Sequence, residues 1–218
     1  MTGPLQHTDG EVPELGALET PGDSDHLRRL RQCLATQADA RGDLDVAYRV
    51  VDSPIGPLLL AATPIGLCRV AFEIEDHEGV LDELAAQIGA RVLRSAIRLD
   101  GVARALADYF AGTTQALPTT LDLRLTHGFR RRVLERLALV GYGERMGYGE
   151  LAAAVGSPRA ARAVGTACAT NPIPLVIPCH RVVRSDGGYG AYRGGEPAKR
   201  FLLEFERECR ASGPHPAQ

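Results

Sequence analysis

The chain has 218 residues, 44% hydrophobic and 24% charged, ordinary values for a globular protein of one large domain or two small ones, each with a real core. No apolar run approaches the roughly 20 residues that span a bilayer, the stretch from Met1 to Asp25 lacks the basic and apolar regions of a secretory signal, and the five cysteines are too irregularly spaced for a disulfide framework or a metal site. The net charge of −2 hides an asymmetry: residues 1–117 hold 10 Arg against 18 acidic residues, and residues 118–218 hold 15 Arg and Lys against 9, an acidic half joined to a basic half that points to a polyanion partner or simply to a solvated face.

Residues 1–41 are rich in Pro, Gly, Asp and Glu and read as a disordered tail. One interruption is a short helix over Ser24 to Ala38, with Leu27, Leu30 and Leu34 along one face, which either docks on the body or floats. From Leu44 the texture changes to short strands over Asp45–Asp52, Leu58–Ala62 and Leu67–Phe72, with Pro and Gly at the turns, giving an antiparallel meander. A helix follows over Gly79–Ile88, then a strand over Arg91–Ile97, then a helix over Leu99–Phe110 closed by Gly112, with Val102, Leu106 and Tyr109 inward. Residues 42–117 therefore form a small α/β domain. His77 reads as a helix-start polar group and Cys68 as a core filler.

Residues 117–125 are a linker, and residues 118–210 a second domain followed by a short tail, 211–218. A helix over Thr126 to Val140 carries Thr126 as its cap, with Phe129, Val133, Leu134, Leu137 and Val140 on one face. Its arginines 130, 131, 132 and 136 serve solubility or touch phosphates. A short helix over Glu150–Val155, stopped by Gly156, precedes a second one over Arg159–Ala169, with Ser157 as N-cap and Pro158 at the first position. Two short helices joined by a Gly-containing turn make a helix-turn-helix pattern or a packed helical hairpin. The second helix is rich in alanine, so backbone there can approach another helix or a nucleic-acid groove.

The stretch from Asn171 to Val183 sets one cysteine beside one histidine at the end of a proline-bracketed apolar run. Leu175-Val176-Ile177 reads as a short, buried, strand-like segment stiffened by Pro172, Pro174 and Pro178. A thiol becomes a useful nucleophile as its thiolate, and His180 and Arg181 directly follow Cys179. A glycine-rich loop, Gly187 to Gly195, offers close-approach backbone rather than a phosphate cradle. A final helix, Pro197–Arg210, buries Phe201, Leu202 and Phe205, with Glu206 beside that face. A lone carboxylate there either pairs with Arg210 at the surface or orients His180.

The string Pro178-Cys179-His180-Arg181-Val182-Val183, preceded by Asn171-Pro172 and followed by the glycine-rich loop, resembles the active-site signature of the O6-alkylguanine-DNA alkyltransferases, from about Phe129 to Glu206. The resemblance implies a ribonuclease H-like N-terminal α/β domain and a winged-helix-like C-terminal helix-turn-helix domain. It implies a DNA-repair protein that moves the alkyl group of O6-alkylguanine, and of O4-alkylthymine, in double-stranded DNA onto its own cysteine, once per molecule. In that reading Cys179 is the acceptor, His180 the base acting through a water, Glu206 the group that orients it and Asn171 the brace between the helix-turn-helix and the active-site segment. Arg162 fills the space of the flipped base, Tyr148 helps turn the nucleotide, and Arg159 and Ala160 lie against DNA. Tyr192, Val182, Arg193 and Lys199 surround the alkyl pocket. Arg193 and Ala191 stand where some relatives have a small polar residue and an Asn, which bears on the size of alkyl group accepted. No cofactor, metal or membrane is implied, and a cytoplasmic monomer is expected. The rival readings are a non-catalytic DNA-binding module, which would dispense with the thiol, and a cysteine hydrolase or redox protein, which would need an oxyanion site or a resolving cysteine.

Overall fold

The computed structural model describes residues 21–212. The tails expected over residues 1–20 and 213–218 lie outside the described residues. The rest of the expected N-terminal tail is helical: α1 spans Pro21–Ala40. Leu27, Leu30 and Leu34 do not form its docking face, being 45–60% exposed; Ala35 is the buried contact, helped by an Asp39–Arg98 ion pair.

Three strands form where short apolar runs lie between Pro- and Gly-containing turns, β1 over Val46–Val51, β2 over Leu58–Ala62 and β3 over Leu67–Phe72. Both hairpin pairings are antiparallel. Strands β2 and β3 are buried on both faces. Leu58, Leu60, Val70 and Phe72 point one way into the main core, whereas Leu59, Ala61 and Ala71 point the other way against Val80 and Leu84, as a period of two requires, and a register shift opposite Ala61 and Ala62 puts Cys68 on that second face as well. Those two residues belong to α2, His77–Gln87, which starts at His77 rather than Gly79.

The next strand is shorter than expected. β4, Val92–Arg94, pairs parallel to β1, so the sheet order is β3-β2-β1-β4 and the meander ends in a crossover through α2. Helix α3, Asp100–Phe110, covers the main-core face with Val102, Leu106 and Tyr109 buried, as its periodicity predicts. The linker belongs to the sheet: Leu67 donates to Thr120 and Asp122 to Leu67, both at 2.8 Å, and Val70 donates to Pro172 at 2.8 Å. The edge of β3 not paired with β2 is thus covered by chain from residues 120–122 and from Pro172.

The C-terminal domain is helical. Helix α4 spans Gly128–Leu137, α5 Tyr148–Ala154, α6 Ala161–Ala169 and α7 Gly195–Ser212. Several caps differ from expectation. Thr126 is not the cap of α4, since His127 takes that place and the Thr126 hydroxyl donates to Leu123. Helix α5 begins at Tyr148, two residues early, because Glu150 reaches back to accept from the Gly147 N–H at 2.7 Å. Helix α6 begins two residues late: Ser157 to Ala160 close a turn of their own, with Ala160 donating to the Ser157 carbonyl at 2.9 Å, so Ser157 is not its cap and Arg159 and Ala160 precede it. In α7 the buried seam is Ala198, Leu202 and Leu203, while Phe201 is exposed.

One small element escapes the periodicity altogether. Met146–Gly147, β5, pairs parallel with Val182–Val183, β6. Two residues per strand are too few to show alternation, yet this ribbon ties the start of the helix-turn-helix to the segment just after Cys179.

Candidate active site

Asn171 organises the segment before the thiol. Its Oδ1 accepts from the Ile173 N–H at 3.0 Å and its Nδ2 donates to the Ile177 carbonyl at 2.8 Å, so one amide closes a loop that its prolines leave short of donors. That loop is not the strand-like run expected of Leu175 to Ile177. The Ile177 N–H turns back to Ile173 at 2.9 Å, and Leu175 sits at φ 73°, a left-handed conformation costly for a branched side chain and sustained only where its surroundings dictate it. The same Nδ2 lies 3.2 Å from Cys179 Sγ.

Cys179, His180 and Arg181 form one buried turn of 3₁₀ helix. Burial pushes the Cys179 thiol up to about 11, opposed by the Asn171 hydrogen bond and the positive charge of Lys199. The resting group is therefore the thiol. His180 is pushed below its ordinary value by burial, with Glu206 pulling the other way, so it rests as neutral imidazole.

Glu206 is fully buried and paired, which rules out the surface alternative. Its Oε1 lies 2.9 Å from His180 Nε2 and accepts from the Tyr109 hydroxyl at 2.7 Å, and its Oε2 accepts from the Gly143 N–H at 3.0 Å. The Arg181 guanidinium adds a fork with Nη2 at 2.8 Å and Nε at 3.0 Å. Burial alone would raise this carboxyl, but His180 and Arg181 hold it well below the usual carboxylate range. A carboxylate can only accept, so His180 carries its proton on Nε2. The imidazole Nδ1 is then the basic atom, buried and without a hydrogen-bond partner among the described residues.

Helix α7 supplies a second anchor from the same face. Lys199, two turns before Glu206, is fully buried and donates its Nζ proton to the Val182 carbonyl at 2.6 Å. One helix thus grips both ends of the Cys179–Val183 segment. Tyr192 is buried beside His180, with ring centroids 6.3 Å apart, and its neighbour Arg193 reaches Glu75 of the N-terminal domain, so its guanidinium is engaged there. A cavity of about 570 Å³ lined by Arg184, Tyr189, Gly190, Ala191 and Tyr192 opens at the loop.

Tyr148, at the start of α5, lies against this loop. An added Cβ on Gly190 would sit 2.6 Å from its hydroxyl, so only glycine fits there. Arg159 and Arg162 are exposed and Ala160 half-buried at the open end of α6. The structure thus brings together Cys179, His180, Glu206, Asn171, Lys199, Val182 and Tyr192, with Tyr148 across the loop, and leaves Arg159 and Arg162 exposed and Ala160 half-buried, outside that buried set. Tyr109 and the Gly143 N–H were not foreseen as partners of the site, and Arg181, noted only as a neighbour of the thiol, pairs instead with Glu206. The signal was present for Tyr109, since a tyrosine on the inward face of a helix needs a partner for its hydroxyl.

Two family models match the chain: "6-O-methylguanine DNA methyltransferase, ribonuclease-like domain" over residues 46–123 and "6-O-methylguanine DNA methyltransferase, DNA binding domain" over residues 128–208. A methylated-DNA--protein-cysteine methyltransferase of Mycobacterium tuberculosis is 40% identical over 162 residues, covering 74% of this chain and 93% of that protein. One from Methanosarcina barkeri is 37% identical over 159 residues, covering 73% and 96%. A crystal structure of Mycobacterium tuberculosis OGT in complex with DNA superposes with a TM-score of 0.65 at 37% identity, covering 75% of this chain and 94% of that one. With both halves matched by family models and a relative 40% identical over 93% of its own length, the chain belongs to the methylated-DNA--protein-cysteine methyltransferase family of DNA-repair enzymes.

Proposed function

We propose that Cys179 is the acceptor of the alkyl group of O6-alkylguanine, and of O4-alkylthymine, in double-stranded DNA, and that each molecule reacts once. The observation that carries this reading is the buried relay in which Glu206 fixes the Nε2–H tautomer of His180 and leaves Nδ1 as a base next in sequence to the thiol. His180 takes the thiol proton through a water at Nδ1. The thiolate, favoured by the Asn171 amide and the Lys199 charge, attacks the alkyl carbon from behind. A C–S bond forms as the C–O6 bond breaks, and its electron pair passes to the guanine, which takes up a proton from solvent while protonated His180 releases one to solvent. The hydroxyl of Tyr148, pushed up to about 12 mainly by burial, stays protonated and can donate to the base as charge develops on it. The thioether product has no low-energy way back, which makes the protein a stoichiometric acceptor.

A base stacked in a duplex must leave the stack before its alkyl carbon can reach a buried thiol. In this reading the open end of α6 enters the groove, Arg162 fills the vacated space, and Arg159 and Ala160 lie against the backbone. Val182 supplies main chain, and Tyr192 and the residues up to Arg193 supply the wall of the alkyl pocket. The protein works as a monomer in the cytoplasm.

The test is intact-protein mass after incubation with a short duplex bearing O6-methylguanine, followed by peptide mapping. A gain of one methyl group, about 14 Da, on the Cys179 peptide supports covalent transfer. Methyl loss from DNA by a Cys179→Ala protein would sink it.

A further inference from the structure

The loop that closes the site is held differently on its two sides. From Arg184 to Gly188 its hydrogen bonds run within the loop: Arg184 N–H to Gly188 at 2.9 Å, Gly187 N–H to Arg184 at 3.1 Å, and Gly188 N–H to the Asp186 side chain at 2.9 Å. From Tyr192 to Gly195 it lies instead on the N-terminal domain. Gly194 approaches Phe72 so closely that a Cβ there would sit 2.7 Å from the ring, and the rings of Tyr192 and Phe72 meet edge to face at 5.4 Å. Between these contacts Arg193 donates to Glu75 Oε2.

Glu75 is itself immobilised. It ends a 3₁₀ turn, Glu73–Glu75, that leaves β3. Its Oε1 accepts from the Phe72 N–H at 2.9 Å and its Oε2 accepts from Arg69 at 2.8 Å. Only 7% of its side chain and 5% of that of Arg69 is exposed, so solvent screens this node weakly. One carboxylate therefore serves two guanidiniums, one rooted in the sheet and one in the loop. The same backbone that carries Arg193 carries Tyr192, whose ring flanks His180. A shift of this short run moves the wall nearest the reacting atoms.

We propose that Glu75 is a positioning residue for alkyl transfer: through Arg193 it holds the Tyr192–Gly195 wall against Phe72, so that the N-terminal domain sets how large an alkyl group fits beside Cys179. The proposal rests on the reading of Cys179 as the alkyl acceptor. With the pair broken the wall can retreat, which eases a bulky group and loosens the hold on a small one.

The experiment measures rate constants of transfer from matched duplexes bearing O6-methylguanine or O6-benzylguanine to the full-length wild-type protein, to Glu75→Gln, to Arg193→Met and to the double variant. Arg193→Met leaves the Glu75–Arg69 pair in place, so it separates the loop contact from any loss of folding around Arg69. The benzyl-to-methyl rate ratio is expected to rise about tenfold in each single variant, within the range that pocket shape commands, and to rise no further in the double variant, because the two residues act as one unit. An unchanged ratio in Arg193→Met, a parallel fall of both rates, or additive effects in the double variant would overturn the proposal while wild-type methylation stands. Absence of methyl uptake by the wild type would instead overturn the acceptor reading, and this proposal with it.

Discussion

His180 and Glu206, 26 residues apart, meet through a 2.9 Å contact between Nε2 and Oε1 with both side chains buried. The contact fixes which imidazole nitrogen holds the proton, and it joins the active-site turn to α7. Glu206 carries more than this one bond, because Arg181 and Tyr109 converge on the same carboxylate.

Glu206→Gln should lose both activity and stability. The amide offers donors where Arg181, Tyr109 and the Gly143 N–H all need acceptors, and it leaves the Arg181 charge uncompensated, a defect costing about 3–5 kcal/mol. Methyl transfer should slow by about 10² to 10⁴, the range associated with a positioned base. Denaturant unfolding and single-turnover kinetics check the two parts separately.

Stability should fall as pH falls, in two stages of the same sign. His180 has a folded pKa below its ordinary 6.5, so below about pH 6.5 the unfolded chain binds a proton that the folded chain refuses. Glu206 is depressed below 4.5. Its contribution is therefore full above that value and is lost as pH drops towards the folded pKa. Urea midpoints measured from pH 8 to pH 2 should decline accordingly, and Glu206→Gln should flatten the stage below pH 4.5. A midpoint that rises between pH 7 and pH 5 would contradict the assignment.

Tyr109→Phe tests the bridge between the two domains. The hydroxyl donates to Glu206 Oε1 at 2.7 Å from a nearly fully buried position on α3. A hydrogen bond to a charged group contributes about 1.5–3 kcal/mol, so unfolding stability should drop by that amount. Arg181, His180 and the Gly143 N–H still hold the carboxylate, and methyl transfer should stay within about threefold of wild type, a modest change for a relay that keeps its charge.

How much of this the sequence disclosed depended on the length scale of the signal. Strands β1 to β3 and helices α2 and α3 were legible because apolar runs bounded by Pro and Gly, and 3.6-residue spacing, persist over five or more residues. Ribbon β5–β6 was not, having two residues per strand. Leu175 to Ile177 misled because apolar composition marks burial and is silent on backbone. The turn there is imposed by the Asn171 side chain and a positive φ. The Cys179–His180 motif was local and readable. Its support by Tyr109 from the other domain and by Arg181 was tertiary, and a charged residue's partner leaves no trace in its own sequence neighbourhood.

Lys199→Met should make Cys179 less reactive without a large loss of fold. Methionine fills much of the buried stem, while the cation that favours the thiolate is gone. Burial also lowers the pKa of Lys199, so its charge favours the thiolate near neutral pH and is lost before the thiol, pushed up to about 11 chiefly by burial, titrates. The wild-type advantage over the variant in methyl uptake should therefore be largest near pH 7 and shrink as the pH rises. A rate ratio that stays constant with pH would mean that Lys199 acts only through its bond to the Val182 carbonyl.

Arg162→Ala separates groove binding from chemistry. Arg162 is exposed at the first turn of α6, whereas the Cys179–His180–Glu206 relay is buried. Its loss should slow transfer from a duplex by about 10- to 100-fold, since a flipped base without a substitute in the stack costs a few kcal/mol. Transfer from a short single strand carrying the same lesion, which has no stack to refill, should change by less than about threefold on the same physical ground. Equal slowing on both substrates would place Arg162 in general phosphate binding instead, and the salt dependence of the duplex rate would then flatten by about one unit of slope.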